Sequence, residues 1–213
     1  MQRGGHHLEP QGSRATLSAV RWVAFNRIQE MSSSRAKSDW RRDMRRRRGQ
    51  AEPALPAVDA LTQTAQWQQA RVIASYLPIG SEQDPAPLDA AVRRAGKRLV
   101  YPRVMGEGQM VFKVLEPGDA LAPDETGIAA PQIQAETVPA NAIDLFIVPL
   151  LACDDLGVRL GYGGGYYDRL LALTEGFRCG LGYELQRVKR LPSEPHDIRL
   201  QAFLCETGLE YLQ

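Results

Sequence analysis

The spacing of apolar and polar positions changes period repeatedly along the chain, and each change marks an element. In "SSSRAKSDWRRDMRRRRG" (32–49) Ala36, Trp40 and Met44 recur at i, i+4 and i+8. That spacing predicts a helix capped by a serine and ended by Gly49. "VDALTQTAQWQQA" (58–70) reads as a second helix with Val58, Leu61 and Ala65 facing inward. "RVIASYLP" (71–78) reads as a buried strand and "PLDAAVRRAG" (87–96) as a helix closed by Gly96. "KRLVYPRV" (97–104) and the alternating "QMVFKVL" (109–115) read as strands, and "PGDALAPDETGIAAPQ" (117–132) as a long loop. "AIDLFIVPLL" (142–151) is the most apolar strand, and "YYDRLLALT" (166–174) follows it as a helix. "FRCGLGYE" (177–184) is a further strand and "AFLCET" (202–207) the last.

Strands that alternate with helices predict an α/β fold with a mostly parallel central sheet, covered by helices on both faces in three layers. In such sheets ligands sit outside the carboxyl ends of the strands. The glycine-rich stretch 159–165, "YLPIGSEQDP" (76–85) and the loop after "FRCGLGYE" each follow a strand, so all three are expected on one edge.

The first thirty or so residues differ in character. "MQRGGHHLEPQGSR" has the composition of a tail, and "TLSAVRWVAFNRIQE" is too interrupted by charge for a signal-peptide core. Arg3, Arg14, Arg21 and Arg27 outnumber Glu9 and Glu30, so a transit peptide is one reading. A tail, or a start at Met31, is the preferred one. The expected division is an extension over 1–33 and one α/β domain over 34–213.

The 213 residues are 44% hydrophobic and 24% charged with a net charge of +1, which argues against attraction of the whole surface to nucleic acid or anionic lipid. Three scattered cysteines without CxxC spacing fit reduced thiols and a cytoplasmic protein. No stretch approaches the roughly 20 apolar residues of a membrane span. No exposed heptad or apolar helix asks for an obligate dimer, so a monomer is expected.

"RLGYGGGYYDR" (159–169) carries the candidate chemistry: four glycines, three tyrosines, two arginines and an aspartate. Strand, glycine loop and helix is the order in which main-chain N–H groups cradle phosphate. The spacing is neither the Walker pattern nor a GxGxxG fingerprint. A tight surface turn is the bland alternative. Arg159 and Arg169 are placed to meet phosphate through their planar forks. Asp168 suits either a magnesium ion or the helix dipole. Tyr162, Tyr166 and Tyr167 offer rings for a heterocycle or for the core.

"VPLLACDDLGVRLGYGGGYYDRLL" (148–171) resembles the signature of the 5-formyltetrahydrofolate cyclo-ligase family. The basic first helix, "YLPIGSEQDP" and "LPSEPHDIRL" (191–200) keep the family's order of landmarks, and the similarity spans about Ser34 to Thr207. The resemblance implies conversion of 5-formyltetrahydrofolate to 5,10-methenyltetrahydrofolate, with ATP as co-substrate and Mg²⁺ as cofactor. It puts nucleotide contacts on Arg41, Arg42, Asp43, Met44 and Arg45, with Arg41 standing where the family pattern has a lysine. Further ATP contacts fall on Arg159, Leu160, Gly161, Tyr162, Gly163, Gly164, Gly165, Tyr166 and Tyr167. Folate contacts fall on Leu77, Glu82 and Tyr162 to Tyr166, and Mg²⁺ ligands on Asp168 and Asp197. Arg159, Tyr167 and Asp168 are the expected catalytic residues, and His196 is expected to orient its neighbours. Cys153–Asp154, Ala129–Ala130 and "EQDP" differ from the usual Phe–Asp, Pro–Glu and "EVDT".

Two rivals are weighed against this enzyme. An RNA-binding module would use the arginines of 41–48, but they go all around the helix and no RNA-recognition aromatic motif accompanies them. A sugar-phosphate isomerase or transferase of similar fold would bind a phosphate ester without ATP. The cyclo-ligase reading, with no nucleic-acid or membrane partner, is preferred.

Overall fold

A computed structural model describes residues 36–106 and 108–213, so the expectations for 1–35, including the serine cap, lie outside the described residues. Helix α1 covers Lys37–Arg48. The helix expected over 58–70 is two: α2 (Val58–Thr62) and α3 (Ala65–Gln69). Thr64 divides them, because its hydroxyl accepts from the Trp67 N–H at 3.2 Å and so starts a new helix. Trp67 is consequently buried in place of Ala65, which is exposed.

Next come β1 (Val72–Ala74), α4 (Ala86–Arg94), β2 (Arg98–Gly106) and β3 (Gln109–Val114). The stretch expected to be an irregular loop folds back on itself as the hairpin β4 (Leu121–Pro123) and β5 (Ala129–Pro131). Then follow β6 (Thr137–Val138), β7 (Leu145–Pro149), β8 (Ala152–Asp154), β9 (Arg159–Leu160) and α5 (Tyr166–Leu171). The chain closes with β10 (Phe177–Leu181), β11 (Arg187–Val188), β12 (Ala202–Cys205) and β13 (Gly208–Tyr211). The expected last strand is therefore followed by an antiparallel edge strand.

The main sheet runs β13-β12-β10-β7-β1-β2-β3-β6. Its five central strands are parallel, flanked by antiparallel β13 on one side and β3 and β6 on the other. Alternation on β7 shows why both faces are covered. Leu145 and Ile147 join Leu61, Trp67, Leu88 and Val92 of α2 to α4. Phe146 and Val148 join Leu170 and Leu171 of α5. The α/β class and three layers follow from that period of two.

The chain moves from β1 to β2 on one side and later returns to β7 on the other side of β1, so the strand order reverses between β1 and β7. A crevice opens at such a point outside the carboxyl ends. A separate small sheet, β11-β8-β9, lies between β7 and the glycine loop, and α1 packs on it through Met44, Leu151, Ala152, Leu160 and Leu191. Asp154 fixes this sheet. It is fully buried, and it accepts from the N–H groups of Leu156 (3.0 Å), Val158 (2.9 Å) and Leu191 (3.0 Å). Its neighbour Cys153 fills core space.

Replacing Asp154 by alanine would orphan two buried donors and a half-buried one, so Asp154→Ala should lower the unfolding free energy by about 3 kcal/mol. Urea titration followed by far-UV dichroism tests this; a loss below about 1 kcal/mol would mean the N–H groups find other partners.

Candidate active site

The crevice is a cavity of about 470 Å³. Tyr76, Leu77, Ile79 and Glu82 come to it from the segment after β1, and Arg159 to Asp168 from the glycine loop and the start of α5. Two of the three expected loops thus share this edge. The loop after β10 does not line the cavity; its Gln186 donates to the carbonyl oxygens of Leu150 and Leu151 instead. Glu194, His196 and Asp197 take that place.

Arg159 is 8% exposed and spans the loop's base. It donates to the Pro149 carbonyl at 3.3 Å and to Asp168 Oδ2 at 3.1 Å, and its guanidinium lies 5.3 Å from the Tyr167 ring centre. A Cβ on Gly161 would stand 2.7 Å from Arg159 Nη1, so that position stays bare. Gly165 precedes α5 with φ +68°, a left-handed conformation that glycine adopts freely. Arg169 is spent on main chain: it donates to Gly164 O (2.7 Å) and Gly108 O (3.0 Å) and stacks on Tyr166, pinning the loop to the β2–β3 turn.

Of Arg41 to Arg45, the structure brings Arg41 to the cavity wall, where its Nε donates to Gly161 O at 3.0 Å. Among the described residues it forms no ion pair. The others lie elsewhere. Arg42 is solvent-exposed and paired with Asp39, Asp43 pairs with Arg46 and Arg47, and Met44 is fully buried under the small sheet. Arg45 sits 5.4 Å from the Tyr162 ring centre without lining the cavity. The period of 3.6 turns Arg42, Asp43 and Met44 away from the face of Arg41, and Arg45, one turn on, lies against Tyr162 instead. Lys37, one turn before Arg41, lines the cavity, and the sequence reading missed it. A lysine thus accompanies Arg41 on the cavity wall.

Lys37 donates to Glu194 at 2.5 Å and to Asp197 at 2.8 Å. Burial works against its charge, but those hydrogen bonds prevail and hold its pKa above the ordinary lysine value. Asp168 and Asp197 both line the cavity, one paired with Arg159 and the other with Lys37. Glu194, His196 and Asp197 form a closer oxygen and nitrogen cluster, with ligand atoms within 4.8 Å of one another.

Glu82 is buried, and its Oε2 accepts from the Ile79 N–H at 2.9 Å. Burial raises its pKa, opposed by the Ile79 N–H, Tyr162 and Arg48. Its other oxygen, the Arg159 Nε and the Tyr167 hydroxyl are buried with no hydrogen-bond partner. Burial drives the Tyr167 phenol well above its ordinary pKa, so it stays protonated. One donor-acceptor, one donor and one acceptor thus stand unsatisfied around one cavity. Such atoms cost about 1–3 kcal/mol each unless something else meets them.

Residues 29–206 match the 5-formyltetrahydrofolate cyclo-ligase family. The chain belongs to the 5-formyltetrahydrofolate cyclo-ligase family. The Escherichia coli K12 cyclo-ligase is 34% identical over 139 residues, 62% of this chain and 76% of its own. The Haemophilus influenzae cyclo-ligase is 31% identical over 138 residues, 62% and 74% of the two chains. The solved structure of a 5,10-methenyltetrahydrofolate synthetase from Aquifex aeolicus superposes with a TM-score of 0.71 at 29% identity, covering 83% of this chain and 93% of that one. The expected family and fold class stand, and the chain is an enzyme of the cyclo-ligase kind, a ligase of folate one-carbon metabolism.

Arg48 is a second residue that the sequence reading passed over. Its signal was faint: it continues the Ala36–Trp40–Met44 stripe at i+4 from Met44, a cation on the inward face. A β-carbon at Gly165 should strain the loop by about 1–3 kcal/mol. Gly165→Ala is expected to cut turnover at least tenfold while the melting temperature falls by only a few degrees. Unimpaired turnover would show that the loop conformation does not matter to the reaction.

Proposed function

We propose that the cavity converts 5-formyltetrahydrofolate to 5,10-methenyltetrahydrofolate at the expense of ATP, with Mg²⁺ bound. The observation that carries this reading is the set of unsatisfied atoms on the cavity wall, Glu82 Oε1, Arg159 Nε and the Tyr167 hydroxyl. They suit a ligand with ring N–H donors at one end and anionic oxygens at the other. Glu82 in its ionised form would accept from the 2-amino and ring N–H groups of a pterin, with Leu77 and Tyr162 bordering it. Arg41, Arg159 and the main chain of Gly161 to Gly165 would hold the triphosphate, with Tyr166 and Tyr167 beside it.

The formyl oxygen attacks the γ-phosphorus, ADP leaves, and the formyl carbon becomes an imidate phosphate. N10 then attacks that carbon, loses its proton, and phosphate departs with the oxygen. The nucleophile belongs to the substrate, so the chain needs no reactive serine or cysteine; it aligns the reactants and balances charge. Arg159 is suited to follow the charge that develops on the transferred group. Its pairing with Asp168 fixes its direction.

Mg²⁺ prefers hard oxygen donors, and Asp168 and Asp197 fit that demand. When bound it neutralises phosphate charge. Bound phosphates would engage Arg159 and Lys37, freeing the two carboxylates for the ion. The three cysteines are buried and free, which suits a reducing compartment. Among the described residues no helix is long and apolar enough to cross a membrane. No observation favours the RNA-binding reading, since Arg42, Arg46 and Arg47 are paired with Asp39 and Asp43.

Purified protein with 5-formyltetrahydrofolate, Mg²⁺ and ATP should produce the absorbance of the methenyl product. Product no greater than in an ATP-free control would overturn the assignment. Asp168→Asn should keep the fold and lose about 100-fold or more in kcat, because a neutral amide binds Mg²⁺ and Arg159 poorly. Near-normal turnover would remove the metal role.

A further inference from the structure

Arg48 lies at the end of α1, is 5% exposed, and does not line the cavity itself. It donates to the Tyr162 hydroxyl at 2.6 Å, to Ser81 Oγ at 3.1 Å and to the Leu150 carbonyl at 3.3 Å. Its guanidinium is 5.6 Å from the Tyr162 ring centre. A fourth neighbour, Glu82 Oε1, stands 3.9 Å from Nη1. These partners come from the loop after β1, the end of β7 and the glycine loop.

We propose that Arg48 is a positioning residue for the folate side of the cavity, holding Tyr162 and Glu82 in register with each other so that Glu82 Oε1 faces the ligand. The inference rests on the folate reading of that side. Two features distinguish it from an ordinary buried ion pair. The first is distance: at 3.9 Å the guanidinium supplies charge to Glu82 but no hydrogen bond, so Oε1 remains free to accept from a ligand. A purely structural pair would close to hydrogen-bonding range. The second is that Arg48 grips the side chain of a loop whose glycines would otherwise leave Tyr162 several orientations.

The charged and titratable groups facing Glu82 are Arg48 from α1, Tyr162 from the glycine loop, Tyr76 at the end of β1 and Tyr167 from α5. Burial pushes the three phenols upward, Tyr162 to about 12, and among these groups Arg48 supplies the positive charge that, with the Ile79 N–H and Tyr162, opposes the rise of the Glu82 pKa. Losing that charge raises the Glu82 pKa further. A protonated Glu82 has one oxygen fewer to accept with, so folate affinity then begins to fall at a higher pH as the solution is acidified.

The test compares wild type, Arg48→Met, Arg48→Lys and Tyr162→Phe in the same turnover assay, with KM for each substrate measured from about pH 6 to pH 9. Arg48→Met should raise KM for 5-formyltetrahydrofolate about tenfold, change KM for ATP less than about twofold, and move the acid limb of the folate profile to higher pH. Arg48→Lys should restore the position of that limb without restoring affinity, because lysine returns the charge but not the planar fork. Tyr162→Phe should raise folate KM about threefold and also move the limb to higher pH, because the phenol hydroxyl, like Arg48, favours the ionised Glu82. Should Arg48→Met not fold, Arg48→Lys and Tyr162→Phe carry the test. An active wild type with equal KM changes for both substrates, or with an unmoved limb in Arg48→Met, overturns the positioning role alone. An inactive wild type overturns the folate reading as well.

Discussion

Arg159 is the buried charge around which the catalytic edge is organised. A guanidinium taken out of water costs several kcal/mol unless it is paired and hydrogen-bonded. Its partners are the carbonyl at the end of β7, the carboxylate in the first turn of α5 and the Tyr167 ring. Satisfying all three fixes where β7 must end, where α5 must begin and how the chain bends between them. Bare positions at Gly161 and Gly165 are consequences: one leaves room for the guanidinium and the other turns the chain into the helix. The Nε that remains unsatisfied is the part of Arg159 kept for something else.

The same economy recurs around the cavity. Lys37 is held by Asp197 and Glu194, Asp168 by Arg159, and Glu82 stands near Arg48. Most charges on the wall are therefore neutralised within it, with Arg41 outside these pairs. Pairing of this kind avoids leaving an isolated buried charge, which is the costly alternative.

Much of this was legible in the sequence where signals are local. The period of two on 142–151 and the run 159–169 gave the central strand, the glycine loop and its flanking charges without any tertiary information. What escaped reading depended on contacts between distant segments. Lys37 and Arg48 looked like members of a solvated arginine-rich helix; their roles came from partners 160 and 114 residues away. Met44 lay in the expected nucleotide stretch, yet helix geometry turns it from the cavity into the core. Thr64 broke a helix through one side-chain hydrogen bond, a competition that hydrophobic spacing does not register. The β4–β5 hairpin was hidden because its strands are three residues each and rich in alanine and proline.

That hairpin accounts for the asymmetry between the cavity's two sides. Asp124, Thr126, Ile128 and Ala129 reach the wall from it. It is held by Arg103, a buried residue of β2 that donates to the carbonyl oxygens of Pro131 (2.7 Å), Pro123 (3.0 Å) and Ala122 (3.4 Å). Asp124 cannot serve as a spare carboxylate for ligand, because its oxygens already accept from Thr126, Ile128 and Val104; against the cost of burial these bonds hold its pKa below the ordinary value. Ala130, expected as a departure from the family pattern, is fully enclosed and offers Arg103 no side-chain acceptor. The guanidinium takes main-chain carbonyls in its stead, and its Nε is left without a partner. Charge around Arg159 and Lys37 is thus fixed by carboxylate pairs, whereas the hairpin wall is fixed by main-chain carbonyls. A wall held in that way leaves its shape, set by Leu77, Ile79, Val104, Met110 and Ile128, as the property that selects what lies against it.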